Sequence, residues 1–143
     1  MFELGTKILL AEDIDITRTI VKKMLEKMGF KNVTDVPNGL IAWEEIQKSI
    51  KLIPYQLVLA NWNMPEINGI ELLNKIQALP RMRSTPFLLF TSNIEKDQVV
   101  HAIQQGVSIY LSKPFAAAAL EQKLKEAWDR FCGRKFPAYP VAT

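Results

Sequence analysis

Three observations predict an α/β chain wound around a parallel sheet. Five short apolar runs alternate with five stretches of helical period along 143 residues. Several of the runs are nearly all apolar, as strands covered on both faces must be. The strict alternation implies βαβ units, whose parallel strands are joined by right-handed crossovers. The length suits one domain, commonly about 100–200 residues. It leaves no separate core for an output module, so output by direct binding is expected.

The first strand is 7–11 (KILLA). A helix over 16–28 follows, with Ile20, Met24 and Leu25 near one face and Lys22, Lys23 and Lys27 near the other. Asp15 reads as its N-cap, and Gly29 lies just past its end as the stop. The second strand is 32–36 (NVTDV) and the second helix 40–50. The third strand, 56–60 (QLVLA), leads to a helix over 70–79 that Pro80 ends. Asn38-Gly39 and Asn68-Gly69 would mark hairpins between strands. Each precedes a helical period instead, so both read as turns into helices. The fourth strand is 87–91 (FLLFT), the fourth helix 96–105 up to Gly106, and the fifth strand 107–111 (VSIYL). The run Ala116 to Ala119 opens a fifth helix over 116–131. The domain thus covers 1–131, and 132–143 (CGRKFPAYPVAT), with two prolines and no period, is a tail.

Composition narrows the function. With 48% hydrophobic and 23% charged residues the chain sits near the globular average, which excludes disordered, collagen-like and coiled-coil classes. The net charge is +3, yet the 18 basic residues are scattered among 15 acidic ones. Nucleic-acid binding needs that surplus gathered into a patch, so no such partner is expected. Cys132 is the sole cysteine and cannot form an internal disulfide, which fits a reducing compartment. The first apolar stretch, about five residues before Glu12, is too short for a signal-peptide core or a membrane span. A cytoplasmic protein without membrane insertion is expected. Neither a GxxxxGK[ST] loop nor a GxGxxG turn occurs, so nucleotide binding has no support.

In open parallel sheets ligands bind beyond the carboxyl ends of the strands, where the strand order reverses. The informative residues are therefore those at the strand ends. Glu12 and Asp13 follow the first strand, and Asn61, Trp62 and Asn63 follow the third. Thr91 and Ser92 close the fourth, and Lys113-Pro114 follows the fifth. Singly, each reads as an ordinary polar loop residue. Jointly they bring two acids, an amide, a hydroxyl and an ammonium to one edge. His101 lies within a predicted helix and without partners reads as a surface or partner-facing residue. Trp62 borders the pocket, whereas Trp43 and Trp128 have the spacing of packing residues.

The segments LLAED, LVLANWNMPEINGIELL, FTS and YLSKPF resemble the receiver domain of bacterial two-component response regulators, over roughly 7–131. The runs WNMP, KPF and AAAALEQKL make the likeness greatest to stand-alone chemotaxis regulators. The resemblance implies a flavodoxin-like (βα)5 fold, doubly wound, with strand order 2-1-3-4-5. It also implies a binding switch, not an enzyme, that takes phosphate from a sensor histidine kinase or phosphotransfer protein. Glu12 and Asp13, with position 61 and the carbonyl of Asn63, would then hold Mg²⁺, a cation that prefers oxygen ligands. The Thr91 hydroxyl and the Lys113 ammonium would receive the phosphoryl group, and Lys113-Pro114 would be cis. Thr91 and Tyr110 would be the switch pair. Val99, Ile103, Tyr110 and Lys123 would meet a downstream protein through the fourth helix, fifth strand and fifth helix.

One position departs from the family. The phosphate-accepting aspartate is replaced by Asn61. A carboxylate attacks phosphorus to form an aspartyl-phosphate, whereas a carboxamide is a poor nucleophile, so phosphorylation should fail. Glu12 and Asp13 against Lys113 leave a formal pocket charge of −1, and an aspartate at 61 would make it −2. Weaker Mg²⁺ binding than in an Asn61→Asp counterpart follows. Asn61 is either an experimental substitution or the mark of a natural pseudo-receiver that binds without phosphate. The retained Glu12, Asp13, Thr91 and Lys113 favour a recent or engineered change. A third reading uses Asp13 in the stretch Asp13-Ile14-Asp15-Ile16-Thr17 as the nucleophile of a haloacid-dehalogenase-type phosphatase. It lacks a later acidic metal motif, since only Glu121, Glu126 and Asp129 follow Lys113.

Overall fold

The computed structural model describes residues 1–92 and 108–132. The elements are β1 (Ile8–Ala11), α1 (Asp15–Lys27), β2 (Val33–Val36), α2 (Gly39–Ile50), β3 (Leu57–Asn61) and α3 (Gly69–Gln77). A 3₁₀ turn (Pro80–Met82), β4 (Phe87–Thr91), β5 (Ser108–Ser112) and the C-terminal helix α4 (Ala117–Phe131) complete them. All strand pairs are parallel, in the order β2-β1-β3-β4-β5. This is the doubly wound order the resemblance implied. The predicted fourth helix, with Val99, His101 and Ile103, lies outside the described residues, as does the tail beyond Cys132.

Alternation along each strand sorts the core into two layers. Leu9, Val58, Ala60 and Leu89 face α2 and α3, joined by Ala42, Ile46, Leu72 and Ile76. Ile8, Leu10, Leu59, Leu88 and Phe90 face α1 and α4, joined by Val21, Leu25, Leu120 and Leu124. Trp43 packs against the first layer and Trp128 against the second, as their spacing predicted. β2, at the sheet edge, is only half-buried except at Val36, so its sequence is the most polar of the strands. Among the described residues no helix is long and apolar enough to cross a membrane.

Both Asn-Gly pairs open helices. Asn38 accepts from the Ile41 amide at 2.8 Å, and Asn68 forms a reciprocal capping box with Glu71. The following glycines are required by close approach. A Cβ on Gly39 would stand 1.9 Å from the carbonyl oxygen of Ile67, and one on Gly69 would stand 2.7 Å from that of Asn61. Gly29 takes φ +102° after α1, the left-handed stop its position suggested.

Two expectations for α1 are corrected. Asp15 is not the N-cap: Ile14 holds that place, without a side-chain cap bond. Asp15 is the first helical residue, and its carboxylate turns to Arg18 at 2.6 Å. Ile20 does not join the core but is 48% exposed, while Val21 and Leu25 are buried. The buried stripe runs one residue further round the helix, leaving Ile20 in a cleft with Met24, Pro114 and Phe115.

Candidate functional site

The reversal of strand order falls between β1 and β3, and the carboxyl ends of those strands open onto one pocket. Ladder bonds continue past the strand ends and fix its rim. The Glu12 amide donates to Val36 at 3.1 Å, the Trp62 amide to Phe90 at 2.7 Å and the Lys113 amide to the carbonyl of Thr91 at 2.8 Å. Each candidate residue is thus held by backbone before its side chain acts.

Glu12 is the deepest charge, wholly buried. Lys113 Nζ lies 2.5 Å from its Oε1. Its Oε2 accepts from the Ile14 amide at 3.3 Å and from Asn61 Nδ2 at 3.1 Å. Burial pushes the Glu12 carboxyl above its ordinary range, against the opposing pull of the Lys113 hydrogen bond and charge. Asn61, the last residue of β3, also donates to Asp13 Oδ1 at 3.0 Å and to the Asn63 carbonyl at 2.8 Å. One side-chain nitrogen therefore meets three oxygens. Glu12, Asp13, Asn61, Asn63 and Lys113 are brought together as the sequence predicted, and the Lys113-Pro114 bond is cis.

Thr91 ends β4 and is buried at 2% exposure. The register pairs Leu89 with Tyr110, so Thr91, two residues beyond Leu89, shares a sheet face with Tyr110. Tyr110 is half-buried, and the Lys123 ammonium from α4 sits 5.6 Å from its ring centroid. These two partner-surface candidates are adjacent, while Val99 and Ile103 lie outside the described residues. Trp62, beside Asn61, is less a pocket wall than a core residue, being only 7% exposed.

Two residues that hold the pocket escaped sequence reasoning. Arg18 donates from Nη1 to the Glu12 carbonyl at 2.9 Å and pairs with both Asp15 and Asp35, tying β1, α1 and β2 together. Its signal was an arginine in the first turns of the helix that follows the acidic pair. Gly69 is the other. Its amide donates to the Trp62 carbonyl at 2.8 Å, and its missing side chain lets α3 abut the end of β3. A glycine at the first helical position, where propensity disfavours it, was the available signal.

The donor set suits a hard cation: two carboxylates and a backbone carbonyl, with room in the ligand shell left to water. Among the described residues no group of three His, Cys, Asp or Glu side chains forms a metal cage, so any cation here depends on that mixed set. Among the described residues, the acids that the phosphatase reading would draw on, Glu121, Glu126 and Asp129, all lie on α4. Glu121 lines a groove with Met1, Phe2 and Leu4, which precede β1 and so lie toward the opposite sheet edge. Glu126 is engaged by Lys123 and Arg130 on α4.

A five-stranded parallel sheet of order 2-1-3-4-5, with acids after β1 and a lysine after β5 at its carboxyl edge, defines a flavodoxin-like α/β fold with a charged site at the switch point. The chain belongs to the response regulator receiver domain family, whose model matches residues 8–125. It is 36% identical to the chemotaxis protein CheY-3 of Vibrio cholerae over 124 residues, covering 87% of this chain and 92% of that protein. To the chemotaxis protein CheY of Pseudomonas aeruginosa it is 32% identical over 127 residues, covering 89% and 99%. The fold matches Vibrio cholerae CheY4 with TM-score 0.77 at 23% identity, covering 86% and 98%. It also matches the receiver domain of a Pseudomonas aeruginosa sensor histidine kinase, with TM-score 0.73 at 29% identity, covering 90% and 98%. That structure has a magnesium ion coordinated in its active-site cleft. The chain is thus a CheY-like receiver domain of two-component signalling.

Proposed function

We propose that this chain is a response-regulator receiver that signals by protein binding, with its phosphorylation step disabled at Asn61. The observation that carries the reading is the Asn61 carboxamide, seated among Glu12, Asp13 and the Asn63 carbonyl at the end of β3. An aspartate there would offer a carboxylate oxygen to phosphorus, forming the acyl phosphate as the donor's leaving group departs. The amide offers none. The receiver spans 1–131, with 132–143 as a tail.

Glu12, Asp13 and the Asn63 carbonyl would hold Mg²⁺, whose charge would offset that of a bound phosphoryl group. The Lys113 ammonium, half-buried and aimed at Glu12, neutralises charge at the same edge. The Thr91 hydroxyl is the hydrogen-bond donor, and Tyr110 on the same sheet face carries the change toward Lys123 and the downstream partner. A histidine kinase or phosphotransfer protein is the donor in an active counterpart, and the chain turns over no substrate of its own. A cytoplasmic site of action follows from that donor.

The test is phosphate uptake from acetyl phosphate with Mg²⁺, read by intact mass. The wild-type chain is expected to take up none and Asn61→Asp to gain one phosphoryl group per chain. Phosphate on the wild type, or none on the variant, overturns the reading. Phosphatase turnover abolished by Asp13→Asn would favour the enzyme instead.

A further inference from the structure

The Asn61 amide does more than fail as a nucleophile. We infer that its NH₂ group is a built-in surrogate for the divalent cation, tethered among the oxygens that the cation would use. The inference rests on reading this pocket as a receiver's Mg²⁺ site and deepens it.

The orientation of the amide is dictated by its neighbours. Glu12 Oε2, Asp13 Oδ1 and the Asn63 carbonyl lie 3.1, 3.0 and 2.8 Å from Nδ2. All three accept, and none can donate in the ionised pocket. Turning the amide over would set its carbonyl oxygen against three others, so NH₂ must point inward. Two N–H bonds serving three acceptors means that at least one is shared, so the nitrogen lies between the oxygens. The group carries partial positive charge to the place where like-charged oxygens converge.

The Glu12 oxygens are filled from within. Glu12 Oε1 has the Lys113 ammonium, and its Oε2 has the Ile14 amide as well as Asn61. No described buried side-chain polar atom lacks a partner. The acidic pair is therefore held by groups of this chain: the Lys113 ammonium, the Ile14 amide and the Asn61 amide. A metal entering the pocket has to displace the amide from those oxygens, a cost separate from the lost charge of the missing aspartate.

That separation gives the test. Asn61→Ala keeps the pocket charge of the wild type but removes the amide. If charge alone weakens Mg²⁺ binding, the two bind alike. If the amide competes, Asn61→Ala binds Mg²⁺ more tightly, on the order of fivefold, as one net hydrogen bond is no longer broken. Mg²⁺ titrations followed by Trp62 fluorescence, with thermal unfolding in EDTA, give both readouts. In EDTA the melting temperature should fall in the order wild type, Asn61→Ala, Asn61→Asp. Added Mg²⁺ should raise it least for the wild type and most for Asn61→Asp.

Equal or weaker Mg²⁺ binding by Asn61→Ala overturns the surrogate while leaving the site reading intact. No Mg²⁺ response in Asn61→Asp removes the site reading and this inference with it. Should Asn61→Ala fail to fold, the wild type still decides. Its Asn61 NH₂ protons, seen by NMR, should exchange slowly in EDTA and lose protection as Mg²⁺ saturates the Trp62 signal. Protection that persists at saturation contradicts the inference.

Discussion

The pocket at the ends of β1 and β3 and the face around Tyr110 and α4 are held together in different ways. In the pocket, a wholly buried carboxylate, an ammonium and an amide are joined by bonds of 2.5 to 3.1 Å. On the other face, Lys123 stacks over Tyr110 at 5.6 Å and reaches Glu126 at 3.4 Å, contacts that are partly solvated. Buried charges bind strongly because an unpaired one is costly, whereas exposed pairs contribute little. The difference suits a receiver: a rigid site that senses charge, and a loosely tied surface that can be remodelled at small cost. In this chain the Asn61 amide adds three contacts to the pocket.

The comparison can be broken most severely at Lys113. Lys113→Ala leaves Glu12 buried without its counter-charge, and urea unfolding should show a loss of about 3–5 kcal/mol. Adding Glu12→Gln should restore a large part, because the uncompensated charge is then gone. A loss below about 1 kcal/mol would mean the pair is solvated and the contrast overstated.

Gly69→Ala tests whether α3 props the pocket. Its Cβ would meet the Asn61 carbonyl and Leu89 Cδ2 at 2.7 Å each. Overpacking of this kind costs about 1–3 kcal/mol, and the displaced end of β3 should shift the Trp62 emission. An unchanged emission with full stability would detach α3 from the site.

On the loose face, Lys123→Ala should lower stability by less than about 1 kcal/mol by chemical denaturation. A cost comparable to that of Lys113→Ala would erase the distinction.

The smallest effect lies at Asp35, on the edge strand. Burial raises its carboxyl, but the Lys22 hydrogen bond and charge, with Arg18, outweigh it and hold the group below its ordinary range. A lowered folded value stabilises above the unfolded pKa, about 3.9, and that contribution is lost as pH falls through the folded value. Asp35→Asn should therefore cost under about 1 kcal/mol at neutral pH. Its stability should converge with that of the wild type in acid. A gap that persists below the folded pKa would assign the cost to packing.

The strands were legible because a parallel sheet is covered on both faces, so short apolar runs such as KILLA and FLLFT between helical periods read as buried strands. The turns into α2 and α3 were legible because Asn-Gly before a helical period leaves few alternatives. Asn61 stood out because its neighbours on three other loops kept the expected chemistry. What periodicity cannot supply is azimuth to within one residue, so Ile20 shares its predicted face with Leu25 yet stays exposed where Val21 is buried. Nor can it choose between two uses of one carboxylate, so Asp15 was read as a cap when Arg18 claims it. The inward aim of the Asn61 amide depends on three oxygens converging from the ends of two strands, a fact that exists only once β1 and β3 are paired.

On this reading Asn61 alone uncouples the pocket from the outer face. Beryllofluoride, a phosphoryl mimic, added with Mg²⁺ to the isotopically labelled wild type and Asn61→Asp, tests it directly by NMR. In Asn61→Asp the resonances of Thr91, Tyr110 and Lys123 should shift together, while those of the wild type stay unchanged. Equal shifts in the wild type, or shifts in the variant confined to Glu12 and Asp13, would contradict it.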